Sequence, residues 1–244
     1  MGEPGHNSGE IRPLISIIMP LWDNAYKTMD NAVNSILDQW FKGKPTKIEI
    51  VFVDDNSRDR ATKRKMDGWV RRLSNGQELP HITAKSVTHL QNKGVGCARN
   101  SGICNSSGKY ICYLDCDDVY YPTRIASLSC GYISSDIVFQ EVDLEYWDDD
   151  MKLTSNGRLT GFNMTGIIHT RELAGKRGDV FVPNLVYRVA EIAIRRLMSR
   201  AERTLTIPGI SIGKVISKPT GQSRTHRMPS SGLGMSYKQT MKQY

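Results

Sequence analysis

The sequence predicts an α/β fold, a mostly parallel sheet wound with helices. Short apolar runs alternate with helical periodicities along the first half of the chain, the pattern that builds parallel sheets. Three of those runs end in turns rich in polar or acidic residues, and the carboxyl ends of parallel strands are where such sheets gather their chemistry. In order, Ile15–Met19 reads as a buried strand ended by Pro20. Tyr26–Gln39 places Ala32, Val33, Ile36 and Leu37 at helical spacing. Ile48–Val53 is a second strand, and Arg60–Leu73 a helix with Met66, Trp69, Val70 and Leu73 on one side. Ile82–Val87 is a third strand, Gly94–Asn105 a short helix opened by glycines, and Tyr110–Leu114 a fourth strand.

After Pro122 the pattern changes. Asp136–Trp147 and Lys152–Leu159 read as a hairpin around the acidic turn Asp148–Asp150, taken as solvated. Asn184–Arg203 reads as a helix with Val186, Ala190, Ala193, Leu197 and Ala201 on one side. Arg188, Arg195, Arg196, Arg200 and Arg203 fall within roughly 140° of one another opposite them. The expected organisation is a Gly/Ser/Asn-rich disordered arm over 1–13 and a ligand-binding half over 14–125. An acceptor-side half over 126–216 and a basic, partly mobile tail over 217–244 follow.

Composition sets bounds. A chain of 244 residues with 39% hydrophobic content can build one large α/β domain. No run of 18 apolar residues is present, so no transmembrane helix is expected. The N-terminus lacks a basic start and an apolar centre, so it does not read as a signal peptide, and His6 argues against myristoylation. Five cysteines without a C-x₂-C pair read as reduced thiols of a cytoplasmic protein rather than a zinc site. The net charge of +8 is uneven: Lys176–Tyr244 holds 13 Lys/Arg and 3 Asp/Glu, a balance of +10, and the other 175 residues balance at −2. Such asymmetry points to an anionic partner, nucleic acid or a membrane surface.

The sharpest feature is Leu114-Asp115-Cys116-Asp117-Asp118, three carboxylates within four residues at a strand end. They repel one another unless a cation intervenes. Hard oxygen ligands suit Mg²⁺ or Mn²⁺, ions that usually arrive with a phosphate-bearing substrate. Trp22 can stack on a flat base, and Asp54 and Asp55 can accept hydrogen bonds from base and ribose, with helix capping the alternative role for either. Gly94 and Gly96 let backbone approach a ligand, and Arg99 either touches a diphosphate or pairs with an acidic neighbour.

In order and spacing, four segments resemble family 2 glycosyltransferases of the GT-A fold. They are Ile15-Ser-Ile-Ile-Met-Pro-Leu-Trp-Asp-Asn24, Val51-Phe-Val-Asp-Asp-Asn-Ser57, Asn92-Lys-Gly-Val-Gly-Cys-Ala-Arg-Asn100 and Gly108-Lys-Tyr-Ile-Cys-Tyr-Leu-Asp-Cys-Asp-Asp118, within residues 14–125, about half the chain. The resemblance implies a single Rossmann-like GT-A domain with an acceptor-side hairpin, basic helix and tail. It also implies a nucleotide-diphosphate sugar donor such as a UDP-sugar, with Mn²⁺ or Mg²⁺, and inversion at the anomeric carbon. Pro20, Trp22, Asp23, Asp54, Asp55, Asn92, Gly94, Arg99 and Asp115 would then line the donor. Asp115 leans toward the ribose, Asp117 and Asp118 toward the metal, and His226 of Arg224-Thr-His226 would complete the metal site.

The second half departs from the family pattern. The E-D pair expected before the Asn184–Arg203 helix, whose Asp is the general base, is missing from Gly178-Asp-Val-Phe-Val-Pro-Asn184. Asp179 and then Glu191 are the candidates for that base. Five guanidiniums on one helix face favour an anionic acceptor, with modified nucleic acid foremost and a phosphate-rich glycan or membrane-associated acceptor as alternatives. A binding module that kept the fold and lost catalysis is the non-enzyme reading. A nucleotidyltransferase is disfavoured because Met19–Asp23 holds no glycine-rich phosphate loop.

Overall fold

A computed structural model describes residues 14–39, 45–74, 79–129, 135–140, 142–147, 153–159, 164–175, 178–183, 185, 189–207 and 213–215. The expected arm, the Asp148–Asp150 turn, Arg188, the tail and His226 lie outside them. Seven strands form the main sheet: β1 Ile15–Leu21, β2 Ile48–Asp54, β3 Ile82–Thr88, β4 Tyr110–Tyr113, β5 Ile137–Gln140, β8 Ile167–Thr170 and β9 Thr204–Ile207. Their order is β3-β2-β1-β4-β8-β5-β9. All run parallel except β8, which lies antiparallel between β4 and β5. A second sheet, β10-β6-β7, is built on the hairpin of β6 Val142–Trp147 and β7 Leu153–Leu159, with β10 Gly213–Val215 alongside β6.

Every residue of β1 and β2 is buried, because helices cover both faces of the sheet. Ile15, Ile17, Met19 and Leu21 face α1 (Met29–Leu37) and α2 (Arg60–Ser74), where Met29, Val33, Ile36, Met66 and Trp69 wait. Ile18, Val51 and Val53 face α3 (Val95–Asn105) and α6 (Val189–Met198) through Ala98, Ile103, Ala193, Ile194 and Leu197. Each fully buried aliphatic side chain is worth about 1.5–3 kcal/mol against solvent. Gly102 allows α3 its close seat, since a methyl there would fall 2.3 Å from Ile18 Cγ2. Two short helices, α4 (Arg124–Ser129) and α5 (Arg171–Ala174), complete the described elements.

Four expectations need correction. Pro20 does not end β1, which continues through Leu21; the ladder to β4 already stops at Ile18↔Tyr113, so the missing N–H costs little. Asp136–Trp147 is two strands in two sheets rather than one arm of a hairpin. The Tyr26–Gln39 helix is a 3₁₀ turn, Ala25–Lys27, followed by α1. The long basic helix ends at Met198 rather than Arg203, because the chain must turn at Ser199–Glu202 to enter β9.

Candidate active site

The carboxyl ends of β1, β2 and β4 lie side by side, so Trp22–Asn24, Asp54–Ser57 and Asp115–Asp118 converge. Asn24 and Asn56 each follow one of these ends in the left-handed region, at φ 66 and 59. Asn tolerates that conformation, which explains its place in both turns. Asp23 joins the first two turns: it accepts from the Arg58 backbone N–H at 2.6 Å and from Arg58 Nε at 2.7 Å. Burial raises its carboxyl, but these bonds more than offset that and hold it below the usual carboxylate range. Arg58 also lies 5.8 Å over the Trp22 ring, which is 52% exposed. That ring is an open stacking platform beside the acidic turns.

Asp54 and Asp55 divide their work. Asp54 Oδ1 caps the Ser57 N–H at 2.9 Å, whereas its Oδ2 is buried without a hydrogen-bond partner and has Lys63 Nζ 3.9 Å away. Asp55 clamps the loop after β3: its carboxylate accepts from the N–H of Lys93 at 2.9 Å and of Gly94 at 2.7 Å, and meets His89 Nδ1 at 2.7 Å. His89 Nε2 in turn meets Ser101 Oγ at 2.8 Å. Asn92 Oδ1 accepts from Gly94 N–H at 3.2 Å. Gly94 sits at φ 83 before the first turn of α3, a conformation that suits glycine.

Arg99 pairs with Asp115 at 2.6 Å, lies 5.5 Å over the Phe181 ring, and keeps a buried Nε without a hydrogen-bond partner. The next residue, Asn100, grips the backbone of Phe181 twice, at 2.8 and 2.9 Å. Asp118 N–H bonds back to Asp115 carbonyl at 3.0 Å, folding the three carboxylates into one turn. Asp118 is buried and accepts from Thr165 Oγ1 at 2.8 Å, while Asp117 is exposed. Burial, with Asp117 and Asp115 beside it, pushes the Cys116 thiol far up, so it adds no charge here.

Among the described residues no three His, Cys, Asp or Glu side chains form a closed metal cage. A Mg²⁺ or Mn²⁺ ion shared with a substrate needs only one or two carboxylates, with phosphates and water completing the shell. The exposed Asp117 next to Asp115 and Asp118 fits that shared arrangement.

The two base candidates separate. Gly178 packs against Cys104 and Asn100, and Asp179 ion-pairs with Arg200 at 3.3 Å, beside the last turns of α3. Ten residues of helix, about 15 Å, lie between Gly94 and Cys104, so Asp179 sits toward the opposite end of the sheet from the carboxylate turn. This placement sets it apart from the carboxylate turn. Glu191 instead occupies the first turn of α6, whose Val189 packs at Gly96, near the start of α3; its carboxylate is 3.1 Å from Arg195.

The arginine face is also corrected. Arg195 pairs with Glu191, Arg196 donates to the Asp179 carbonyl, Arg200 to the carbonyls of Leu173 and Ala174, and Arg203 to Asp136. Each of these four guanidiniums has a protein partner, while Arg195, Arg200 and Arg203 stay exposed. The sequence reading missed His89, Asn100, Thr165 and Phe181. His89 directly follows β3, so the strand-end rule that flagged Asp54 and Asp115 could have flagged it.

The chain belongs to glycosyl transferase family 2, whose family model matches residues 16–150. Similar proteins include an uncharacterized glycosyltransferase of Rickettsia prowazekii (strain Madrid E), 37% identical over 113 residues covering 46% of this chain and 30% of that protein. The UDP-Glc:alpha-D-GlcNAc-diphosphoundecaprenol beta-1,3-glucosyltransferase WfgD of Escherichia coli is 27% identical over 126 residues, covering 52% of this chain and 44% of that protein. Matches to other Rickettsia glycosyltransferases span as little as 14% of those proteins. Among solved structures, S. aureus TarS in complex with UDP-GlcNAc superposes with TM-score 0.65 at 18% identity, covering 85% of this chain and 59% of that one. The mannosyltransferase PcManGT from Pyrobaculum calidifontis, in complex with GDP-Man and Mn²⁺, gives TM-score 0.60 at 16% identity, with 86% and 59% covered. These likenesses establish the GT-A fold.

Proposed function

We propose that this chain is a metal-dependent inverting glycosyltransferase, moving a sugar from a nucleotide-diphosphate donor to a hydroxyl of an anionic acceptor. The observation that carries it is the convergence of Trp22–Asp23, Asp54–Asp55 and Asp115–Asp118 on one edge of the sheet. Trp22 stacks on the base, Asp54 Oδ2 accepts from it, Pro20 lies in the strand that leads to Trp22, and Asp23 sets the turn that presents it. Asp55 and Asn92 hold the loop at Gly94 under the ribose and diphosphate. Arg99 keeps Asp115 oriented toward the ribose. Mn²⁺ or Mg²⁺, held by Asp117 with Asp115 and Asp118 beside it and with His226 as a further ligand, would neutralise charge on the leaving diphosphate. A UDP-sugar is the first donor to test, since TarS was solved with UDP-GlcNAc and WfgD is named for UDP-Glc.

Glu191 removes the acceptor proton, and Arg195 holds its carboxylate in place. The activated hydroxyl attacks from the face opposite the diphosphate. The C-terminal charge balance favours an acceptor rich in phosphate, with nucleic acid ahead of a glycan polymer or a membrane-associated acceptor. The competing reading, a nucleotide-sugar-binding module without turnover, draws support from the missing E-D pair and the remote Asp179.

The deciding experiment is mass spectrometry of donor hydrolysis and transfer over a panel of nucleotide sugars with Mn²⁺. Turnover that falls by on the order of 10²-fold in Glu191→Gln, with donor affinity kept, supports the base assignment. Donor binding without hydrolysis or transfer in the unmodified protein would instead identify the inactive module.

A further inference from the structure

Helix α2 is far more basic than its surroundings. It carries six Lys/Arg and one acid, Asp67, in 15 residues, a local excess hidden by the −2 balance of the first 175 residues. Lys63 faces Asp54 and Lys65 binds Asp30. Arg60, Arg64 and Arg71 are exposed and form no ion pair among the described residues. A cavity of about 480 Å³ opens between the helix and the 3₁₀ turn, lined by Tyr26 from the turn and by Arg64, Lys65, Gly68, Trp69 and Arg72 from α2. Trp69 makes its floor, with Nε1 bonded to Asp30 at 2.9 Å and the Arg72 guanidinium 5.1 Å over the ring.

Gly68 is the telling residue. It lies inside a helix, where glycine is the poorest ordinary helix former. Its φ is not positive, and a methyl there would meet nothing within 4 Å. Neither backbone nor packing asks for glycine. What its missing side chain does is keep the cavity open.

The chemistry of the cavity is specific. Arg60, Arg64 and Arg72 share one stripe with Gly68 at four-residue steps, about 6 Å per step along the axis. Guanidiniums along such a stripe suit successive phosphates, and an aromatic-lined recess beside them suits a base or sugar face. A membrane-binding helix would instead push its apolar groups outward, whereas Trp69 is recessed at 9% exposure. The cavity borders the donor end: Tyr26 lies two residues past Asn24, and its N–H donates to Thr62 Oγ1 at 3.3 Å.

We propose that this groove on α2 binds single-stranded nucleic acid and is the docking track for the polymeric acceptor. The track as acceptor site rests on the transferase reading; the binding does not. The test is fluorescence anisotropy of the full chain with a labelled oligothymidine at low and moderate salt. Circular dichroism, thermal melting and UDP–Mn²⁺ calorimetry serve as controls. Wild-type affinity should fall steeply with salt. Arg64→Glu/Arg72→Glu should weaken binding by more than about 10-fold. Gly68→Leu should weaken it about 5-fold or more while melting no lower than wild type. UDP binding should stay unchanged in both variants. Unchanged oligonucleotide affinity in both variants overturns the proposal. So does loss confined to a tail variant, Arg224→Ser/Arg227→Ser/Lys238→Ser/Lys242→Ser. Wild-type binding to phosphatidylglycerol vesicles but not to oligonucleotide also overturns it, in favour of a membrane. If α2-dependent oligonucleotide binding persists in a protein that transfers no sugar, the groove stands and the transferase reading fails. Transfer to small acceptors without oligonucleotide binding gives the reverse.

Discussion

The two ends of the seven-stranded sheet treat buried charge differently. At the amino end, Glu49 is enclosed by Ser16 Oγ at 2.6 Å, Ser107 N–H at 2.8 Å, Ser107 Oγ at 2.9 Å and Lys85 Nζ at 2.7 Å. Nearby, Arg171 donates to the carbonyls of Gly108 and Ile103 and to Ser106 Oγ, closing the C-terminal turn of α3. These groups have protein partners on every side. At the carboxyl end, Asp54 Oδ2, Ser57 Oγ and Arg99 Nε are buried without hydrogen-bond partners. Leaving such groups unsatisfied costs about 1–3 kcal/mol each, and native proteins rarely tolerate it without cause. The amino end uses charge to hold strands and helices together. The carboxyl end leaves buried hydrogen-bonding capacity unused by the protein itself, the capacity that the proposed donor would take up.

Substitutions at the two ends should therefore have opposite signatures. The largest effect is expected at Asp117. Asp117→Asn should reduce Mn²⁺-dependent transfer by on the order of 10²–10³-fold and leave the melting temperature where it was, because the side chain is exposed. Calorimetry with a nucleoside diphosphate checks it directly, and unchanged metal dependence in both Asp117→Asn and Asp118→Asn would sink the metal assignment.

Glu49→Gln should do the reverse. Burial raises the Glu49 carboxyl, but its bonds from Lys85, Ser16 and Ser107 prevail and hold it below the usual glutamate range. Its stabilisation is full above the ordinary glutamate value and is lost as pH falls through the lowered one. Removing the charge should cost about 3 kcal/mol in urea unfolding at neutral pH, with turnover per folded molecule unchanged. A matching loss of turnover would erase the contrast between the ends.

His169 sharpens the same point from β8. It is fully buried, its Nδ1–H donates to the Thr170 carbonyl at 2.7 Å, and its Nε2 meets the Tyr113 hydroxyl at 2.7 Å. Burial, aided by the Arg171 charge, pushes its pKa from the usual 6.5 down to about 4. The unfolded chain takes up a proton below the usual value while the folded chain does not, so stability falls as pH drops from 6.5 toward 4. Going from pH 7 to pH 5 should cost about 2 kcal/mol. A stability–pH curve measured on His169→Gln should lack that step.

The smallest effect is expected at Asp54→Asn. Its Oδ1 cap on Ser57 can survive as an amide oxygen, so stability should shift by about 1 kcal/mol or less. Donor affinity should fall about 10-fold as the acceptor oxygen becomes a donor. Tight donor binding by this variant would show that the unpartnered oxygen does not face the base.

Much of the first half of the chain was legible in the sequence. The apolar runs at Ile15, Ile48, Ile82 and Tyr110 became β1–β4 within about two residues; β1, β2 and β4 are buried on both faces, which demands apolar strands, whereas β3 lies at the sheet edge and buries Ile82 and Ala84. The acidic turn at Asp115–Asp118 was visible for the same local reason. The second half was not. β8 reaches its place by pairing with β4 and β5 across long sequence separations. Nothing in Ile167–Thr170 alone announces an antiparallel strand in a parallel sheet. Asp179 lay next to the expected motif in sequence, yet Gly178 against Cys104 carries it to the far end of α3. Arg200 and Arg203 read from the sequence as part of a basic helix face awaiting an anion, because a wheel does not show the Leu173 and Ala174 carbonyls or Asp136.

By itself the sequence determined which segments are strands and helices in the first half, where the carboxylates gather, and where positive charge accumulates. Those properties follow from periodicity and composition, which act over a few residues. Only the tertiary structure decided which charges are spent. It turned Asp55 into a clamp for Gly94, gave Arg99 to Asp115, paired Arg195 and Arg196 of α6 with Glu191 and the Asp179 carbonyl, and left the arginines of α2 around an open groove beside Gly68. A charge's partner is set by packing between distant elements, and no local pattern carries that information.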